Sequence, residues 1–464
     1  MQRMFGKTRQ VHFVGIGGSG MSGIAEILLT HGFGVTGSDL SASETTRRLQ
    51  SLGATVFLGH ADTNLGAADV VVVSAAVPKE NPEIVAARRR KVPVIERAEM
   101  LAELMKMKYS IAVGGTHGKT TTTALIATVL EHASLDPTVI DGGRLVHLGT
   151  GARVGAGEFL VCEADEAYGS IKRFDPTIAV VTSIDADHLD YYRDVQEIGR
   201  VFLDFINRVP FYGMSVLCLD QENVQALIPA VEKRYVTYGI ATNADIVATD
   251  IVFQGMHTQF VVRRHGDSLG KVRMCLPGEH NVLNALAAVC VGAELDVPFD
   301  VVAEALASFR GVHRRFEVLG ETAGVLIVDD YAHNPAKLKA AFAAARAAFP
   351  ERRLVAVFQP HRYHRVKHLA EEFSRSFYQT GVVLVTSIYG AGEAPIAGVS
   401  GENLAQAIRE HGHRHVRYAD SRDELLSLLL DEVRPGDLVM TVGAGDIWKT
   451  GADLRDALQA RENA

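Results

Sequence analysis

The stretch Gly114-Gly115-Thr116-His117-Gly118-Lys119-Thr120-Thr121 joins two segments of different character. Before it, Tyr109-Ser110-Ile111-Ala112-Val113 is an apolar run that reads as a buried strand. After it, Thr122-Thr123-Ala124-Leu125-Ile126-Ala127-Thr128-Val129-Leu130 reads as a helix. A Gly-rich turn from strand to helix aims backbone N–H groups at one point, and the helix start adds partial positive charge there. Lys119 then reaches the outer phosphates of a nucleoside triphosphate, and a Thr hydroxyl holds Mg²⁺. The strict P-loop pattern has a Gly six residues before the Lys. That position is Val113, so the loop is a shortened variant.

Outward from this loop, strand-like and helix-like segments alternate along the whole chain, the pattern of an α/β protein with mostly parallel sheets. The 464 residues suffice for two to four domains at about 100–200 residues each. Three sections emerge, at 1–107, 108–313 and 314–464. The first opens with Gln10-Val11-His12-Phe13-Val14-Gly15 and the turn Gly15-Ile16-Gly17-Gly18-Ser19-Gly20, followed by a helix from Met21 to His31. A second strand, Phe33 to Asp39, ends in an acid. This is a dinucleotide-type fingerprint, which marks a diphosphate site without saying which nucleotide. Val70-Val71-Val72-Val73 runs into Ser74-Ala75-Ala76-Val77-Pro78, a loop at a strand's carboxyl edge. Thr258 to Arg264 alternates and predicts antiparallel strands within the middle section. The third section carries strands at 324–330, 353–358, 381–386 and 437–442, a second doubly wound domain.

Composition narrows the class. With 47% hydrophobic and 22% charged residues the chain is an ordinary globular protein, and a net charge of −8 argues against a nucleic-acid surface. No apolar run approaches the roughly 18 residues of a membrane helix, and no secretory segment precedes the first strand. Cys162, Cys218, Cys275 and Cys290 are scattered without metal spacing, as expected of small hydrophobes in a reducing cytoplasm.

Several constellations carry chemistry. Glu163-Ala164-Asp165-Glu166 follows the strand Phe159 to Cys162, a position that suits Mg²⁺ beside phosphates, although a solvated acidic loop has the same composition. Ile178 to Thr182 is a strand that leads into Ser183-Ile184-Asp185-Ala186-Asp187-His188-Leu189-Asp190, so His188 sits among acids past a strand edge. Asn281 and Asn284 share one face of a helix start, where Asn281 either caps the helix or reads an adenine edge. Arg314-Arg315 suits phosphate or carboxylate. Gln359-Pro360-His361-Arg362-Tyr363-His364-Arg365 follows a strand and should begin a helix, with His361, Arg362 and Arg365 facing an anionic substrate. His411, His413 and His415 read as a polar surface strand or loop.

Taken together these motifs resemble the Mur ligases, ATP-dependent amide-forming enzymes of peptidoglycan synthesis. The carriers are Gly15 to Gly23, Arg97-Ala98-Glu99-Met100-Leu101-Ala102-Glu103-Leu104, Gly115 to Thr123, Asp185 to Tyr192, Phe358 to Tyr363 and Gly443-Ala444-Gly445-Asp446-Ile447-Trp448-Lys449. The resemblance spans essentially the whole chain and is strongest to the branch that joins L-alanine to UDP-N-acetylmuramate. It implies a Rossmann-like N-terminal domain for the UDP substrate, a central P-loop-type ATPase domain and a Rossmann-like C-terminal domain for the amino acid.

By the same resemblance, Lys119, Glu163, His188 and Arg315 are catalytic, and Thr120, Glu163 and His188 bind Mg²⁺. ATP is held by Gly115, Thr116, His117, Gly118, Lys119, Thr120, Thr121, Asn281, Asn284, Arg315 and Asp330. The substrates lie against Gly15, Gly17, Gly18, Ser19, Gly20, Met21, Ser22, Asp39 and Ser74 at the UDP end, and against Tyr331, His361, Arg362 and Arg365 at the other. The protein is expected to be cytoplasmic, a monomer or weak homodimer, with no nucleic-acid or membrane partner. No Lys stands between Asp190 and Lys233, as in the alanine-adding branch, which lacks the carbamylated lysine of two related ligases. The chain departs from the family pattern at Ala167, Tyr168, Ile171, Ser183, Asn334, Ala336 and Lys337. These bear on amino-acid selectivity. The rivals are a ligase for another amino acid or a recycled tripeptide, a nicotinamide dehydrogenase, and a nonenzymatic nucleotide-binding module.

Overall fold

The computed structural model describes residues 5–74, 77–140, 152–188 and 191–462; the side chains of Ser19 and Tyr168 are not described. Ala75, Ala76, Leu189 and Asp190, which fall in two of the motifs above, lie outside these residues. The fold is α/β, as expected, with three sheets.

The first sheet comprises β1 (Gln10–Val14), β2 (Gly34–Asp39), β3 (Thr55–Leu58), β4 (Val70–Val73) and β5 (Val94–Glu96), in the order β3-β2-β1-β4-β5, all parallel. The order reverses between β1 and β4, which opens a crevice at their carboxyl ends. The fingerprint turn follows β1 and Ser74 follows β4, so both reach that crevice.

The second sheet contains β6 (Tyr109–Gly114), β7 (Thr138–Ile140), β8 (Ala152–Arg153), β9 (Phe159–Ala164), β10 (Ile178–Val181), β11 (Met214–Cys218), β12 (Tyr235–Gly239), β13 (Ile246–Gln254), β14 (His257–Arg264) and β15 (Asp267–Met274). Its order is β15-β14-β13-β12-β11-β10-β6-β9-β7-β8. β6 is central and parallel to both neighbours, β9 and β10. Its near-continuous apolar sequence follows from burial on both faces.

The third sheet, β16 (Glu317–Thr322), β17 (Val325–Asp330), β18 (Arg353–Phe358), β19 (Val382–Thr386), β20 (Val416–Ala419) and β21 (Asp437–Val442), has the order β16-β17-β21-β18-β19-β20. Only β16 is antiparallel to its neighbour. Successive side chains alternate between two cores. Leu326, Val328, Ala356 and Phe358 pack with Phe342 and Phe377, whereas Val325, Ile327, Val355 and Val357 pack with Leu429 and Leu454.

The chain condenses into two compact units. One holds residues 1–247, 263–269 and 283–306; the other holds 248–262, 270–282 and 307–464. In the first unit a single hydrophobic cluster runs from Phe13 and Leu28 of the first sheet layer to Leu160 and Phe202 of the second.

Two local expectations are corrected. The helix expected from Gln359 begins only at Tyr363, because Arg362 takes φ +66° and breaks the helical path. His413 is buried rather than on the surface: its imidazole bonds Thr380 at 3.1 Å, and His411 merely ends the helix Gly401–Glu410.

Candidate active site

The P-loop is built by β6 and the helix Lys119–His132. Gly118 takes φ +80° at the N-cap position, and no side chain caps the helix. The first N–H groups therefore have no intrahelical acceptor and face whatever binds in the turn. Gly115, at φ +137°, allows the loop to close on β10's exit, since a Cβ there would collide with the Thr182 hydroxyl. Three bonds tie the loop to that exit. Thr116 N donates to Ser183 O at 3.0 Å, His117 N to Ser183 Oγ at 2.9 Å, and Asp185 N to Thr116 Oγ1 at 2.9 Å. Ser183 thus supports the loop. The His117 imidazole lies 2.7 Å from the Asp185 carboxylate. Asn284 accepts a bond from Thr122 Oγ1 at 3.1 Å and sits where a Cβ on Gly118 would fall.

The neighbours of β6 supply the charge. β9 ends in the acidic run and β10 leads to His188, so strands on either side deliver carboxylates and imidazole to the same place. Lys119 Nζ bonds Glu166 Oε2 at 2.6 Å and lies 3.4 Å from Asp165 Oδ1. Burial alone would lower the lysine's pKa, but the charges of Glu166 and Asp165 more than offset it and raise the pKa. Asp165 is shifted the other way: burial would raise its pKa, yet Lys119 and His188 hold it below the ordinary value. Tyr192 fixes this segment by donating its hydroxyl to Glu166 O at 2.5 Å. His188 stands at φ +53°, an uncommon backbone state for a non-glycine residue, and its N–H bonds Asp187 Oδ1 at 2.9 Å.

Donor atoms of Asp165, Glu166 and His188 lie within 4.8 Å of one another. Glu163, expected as the ligand, is not in that group. Its Oε1 is nevertheless buried without a hydrogen-bond partner among the described residues, a state that a cation would relieve. Carboxylate oxygens with one imidazole fit a hard divalent cation. Thr120 is buried at the helix start.

At the first sheet, Gly15 N and Ile16 N donate to Ser38 O at 2.8 and 3.0 Å, and Gly17 N donates to Asp39 Oδ2 at 2.8 Å. Asp39 therefore shapes the fingerprint turn directly, at a spot where a Cβ on Gly17 would stand 2.9 Å from its oxygen. Gly18 caps the helix Ser19–Thr30 without a side-chain bond, which leaves that helix start open as well. Met21 packs into the core.

In the second unit, β17 and β18 flank β21, so their carboxyl-end loops converge. Arg314 donates to Asp329 Oδ2 at 3.1 Å, to Gly445 O at 3.0 Å and to Gly443 O at 2.6 Å. Arg314 is thus a brace, and both Arg314 and Arg315 lie over the Tyr331 ring, each 5.0 Å from its centroid. Asp330 accepts bonds from Phe316 N and Ala332 N, each at 2.8 Å. Burial raises the pKa of Asp329 to about 6 despite Arg314. His361 stacks on Tyr389, with centroids 5.7 Å apart, and bonds Arg365 at 3.2 Å. Burial and the charges of Arg365, Arg362 and Arg314 push its pKa down to about 4. The imidazole is therefore neutral near pH 7, beside the guanidinium groups of Arg365 and Arg362. Asn281 does not cap its helix as an N-cap; it is the third residue of Glu279–Glu294 and donates back to Pro277 O at 2.8 Å. Asn334 is an N-cap: its side chain accepts from Lys337 N at 2.9 Å, ahead of Pro335 in the first helical turn.

Three family profiles match in order: the Mur ligase family catalytic domain over residues 10–109, the Mur ligase middle domain over 113–292, and the Mur ligase glutamate ligase domain over 314–445. The chain is a Mur ligase. This Mur ligase is 54% identical over 461 residues to the UDP-N-acetylmuramate–L-alanine ligase of Geobacter sp. (strain M21), covering 99% of this chain and 100% of that one. It is 55% identical to the enzyme of that name from Geobacter sulfurreducens, covering 98% and 100%. The solved UDP-N-acetylmuramate–alanine ligase of Thermotoga maritima superimposes with a TM-score of 0.82 at 30% identity, covering 97% of this Mur ligase and 99% of that chain. Among the described residues, no helix of this Mur ligase is long and apolar enough to cross a membrane.

Sequence reading singled out Glu163 in the acidic run and passed over Glu166 as the residue that holds Lys119. Glu163 is the fifth residue of β9 and Glu166 lies two residues past its end, and it is the acid beyond the strand that reaches Lys119. Arg314 was likewise secondary to Arg315, although the first takes the structural bonds. Arg97 and Ser183 appeared only as parts of motifs.

Proposed function

We infer that this Mur ligase joins L-alanine to the carboxylate of UDP-N-acetylmuramate, at the expense of ATP, in peptidoglycan precursor synthesis. The observation that carries this reading is the juxtaposition of an open P-loop helix start, its lysine, and a carboxylate–histidine cluster on neighbouring strands, in a chain more than half identical over its length to alanine ligases. A carboxylate is a poor electrophile. The substrate carboxylate oxygen therefore attacks the γ-phosphorus and ADP leaves, giving an acyl phosphate. The alanine amino group attacks the acyl carbon, the nitrogen loses a proton, and phosphate departs from the tetrahedral intermediate. Such chemistry depends on positioning and charge neutralisation.

In this reading Lys119 turns from Glu166 to the transferring phosphoryl group. Asp165, Glu166 and His188, with Glu163 and Thr120, would hold Mg²⁺, which neutralises phosphate charge when bound. The fingerprint turn, Asp39 and Ser74 take the UDP moiety. Arg315, Asp330, Asn281 and Asn284 are assigned to ATP, and Tyr331, His361, Arg362 and Arg365 to the muramoyl and amino-acid end. We retain 1–107, 108–313 and 314–464 as the respective substrate, nucleotide and amino-acid segments. The four unpaired cysteines support a reducing cytoplasmic setting.

The test is a substrate panel. ADP release is followed with UDP-N-acetylmuramate and each amino acid or the tripeptide, and the product is weighed by mass spectrometry. A UDP-linked product heavier by one alanine residue is expected. Turnover with the tripeptide but not alanine would overturn the reading.

A further inference from the structure

Between the first sheet and the helix Pro82–Arg89 lies a polar network that takes no part in the reaction steps above. His12 of β1 and Glu83 of that helix are fully shielded from water, and His12 Nε2 lies 3.2 Å from Glu83 Oε2. Ser38 of β2 donates its hydroxyl to the same oxygen at 2.5 Å. Glu83 Oε1 accepts from Asn64 Nδ2 at 2.7 Å and from Ala61 N at 3.2 Å. One carboxylate thus gathers β1, β2, the segment after β3 and the helix after β4. Burial pushes the Glu83 carboxyl up, but the bonds from His12, Ser38 and Asn64 outweigh it and hold its pKa below the ordinary value. Glu83 is therefore ionised at neutral pH and can only accept, so His12 Nε2 carries a proton. The other ring nitrogen, Nδ1, sits 2.8 Å from Thr36 Oγ1. Because the one proton of the Ser38 hydroxyl goes to Glu83, His60 Nδ1, 2.9 Å away, donates to that hydroxyl.

Ser38 links this network to the crevice. Its carbonyl accepts from Gly15 N at 2.8 Å and from Ile16 N at 3.0 Å, and the next residue, Asp39, accepts from Gly17 N at 2.8 Å. Three successive N–H groups of the fingerprint turn are thus held by two residues, the first of which is bonded to Glu83. Asn64 adds a second hold: its Nδ2 also reaches Gly59 O at 3.1 Å, and Gly59 N donates to Asp39 O at 2.8 Å. On its far side the turn meets the exit of β4. A Cβ on Gly15 would lie 3.7 Å from Ser74 Cβ and 3.6 Å from Val77 Cγ2. The helix that carries Glu83 follows that exit, so the carboxylate joins the two lips of the crevice.

We propose that Glu83 is a positioning residue for the UDP-linked substrate: bonded to Ser38 from the helix after β4, it fixes the spacing between the fingerprint turn and the Ser74 exit without itself touching the ligand. This rests on the ligase reading above. A buried charge that several donors satisfy is costly to form and costly to disturb. Apolar side chains of similar volume often serve stability equally well, so the contribution of this network is geometric. Charge-assisted bonds to one oxygen pair are short and directional, and they hold Ser38 at one place relative to β1 and β4.

The experiment measures KM and kcat for UDP-N-acetylmuramate by ADP release, UDP affinity by calorimetry, and the thermal shift given by an ATP analogue. Glu83→Gln keeps the side chain's size but leaves one accepting oxygen where the carboxylate has two. KM for UDP-N-acetylmuramate and the Kd of UDP should rise on the order of tenfold, the effect of about one hydrogen bond to a charged group passed to the turn. The saturated kcat and the ATP-analogue shift should stay near those of the wild type. Ser38→Ala removes only the hydroxyl that links the carboxylate to the turn and should move the same constants in the same direction; it decides the question should Glu83→Gln not fold. Leu49→Ala is the stability control, a truncation in the apolar core of the same sheet layer. It should lower the thermal midpoint with KM unchanged. A rise in KM common to all three variants would reduce the role of Glu83 to stability and overturn the proposal. So would an unchanged KM in Ser38→Ala, or a fall in kcat with KM unmoved in Glu83→Gln. Wild-type protein that binds no UDP ligand would instead remove the ligase reading itself.

Discussion

Lys119 Nζ rests 2.6 Å from Glu166 Oε2, and both side chains are largely shielded from water. The P-loop lysine is thereby held by a protein carboxylate. On the proposed reading a triphosphate would compete with Glu166 for it, exchanging one buried ion pair for another.

Glu166→Gln removes that counter-charge while keeping a hydrogen-bond acceptor. Loss of a charge-assisted bond costs on the order of 1–3 kcal/mol, so the nucleotide-free thermal midpoint should fall. A triphosphate can replace the missing charge, and the ATP-analogue shift in midpoint should be larger than in the wild type. Differential scanning fluorimetry checks both; equal shifts in the two proteins would count against a competition between Glu166 and phosphate.

Lys119→Ala should abolish ligation while leaving UDP-N-acetylmuramate binding nearly intact, since the fingerprint turn is built on another sheet. Several kcal/mol of barrier are at stake, each ~1.4 kcal/mol being tenfold in rate. Steady-state kinetics beside calorimetry separate the two; turnover near the wild-type rate would remove the loop from the mechanism.

Two groups in the second unit, the buried Asp329 and the partly buried His361, titrate in the same pH window with opposite consequences. Asp329 has its pKa raised to about 6, by burial above all. The folded state thus binds its proton more readily, and stability from this group falls as pH rises from about 4 to about 6. His361 has its pKa lowered to about 4, chiefly by burial and then by Arg365. There the folded state binds the proton less readily, and stability rises between about pH 4 and about 6.5. The wild-type profile should be flattened by their opposition. Asp329→Asn should show stability climbing across the window, and His361→Asn should show it falling. Denaturant midpoints from pH 4 to pH 7 provide the check, and parallel profiles for all three proteins would contradict it.

Asn334→Ala deletes the N-cap of the helix Pro335–Ala348. Such a loss typically costs about 1 kcal/mol. Urea unfolding should register it, and Asn334→Ser or Asn334→Asp should restore most of it. A neutral Asn334→Ala would mean that the cap is not formed in solution.

Amino-acid choice rests on a methyl group, which distinguishes alanine from glycine by about 1–3 kcal/mol. L-Alanine should remain the preferred acceptor, with glycine and L-serine used measurably. Competition assays at equal concentrations decide this. Strict preference for a different amino acid would overturn the alanine assignment while leaving the ATP chemistry standing.

The P-loop, the fingerprint turn and the alternation of strands and helices were legible in the sequence because each is local. A strand, its turn and its helix are consecutive, and their apolar periodicity and glycines are dictated by backbone geometry within about ten residues. The ordered run of such motifs also sufficed to name the family. What contiguous sequence does not encode is strand order. β6 pairs with β9 and β10 rather than with its successor, and that order alone brings the acidic run and His188 to Lys119. Which acid of the run meets the lysine depends on how the chain leaves β9, and the tertiary structure selected Glu166, beyond the strand, over Glu163 within it for that contact. The same is true of Arg97. Its sequence neighbours are acids that look like its partners, but packing gives those acids to Arg173 and lays the guanidinium against Gly20. Charges act through space, so their partners are set by which surfaces the hydrophobic core brings together, not by their separation along the chain.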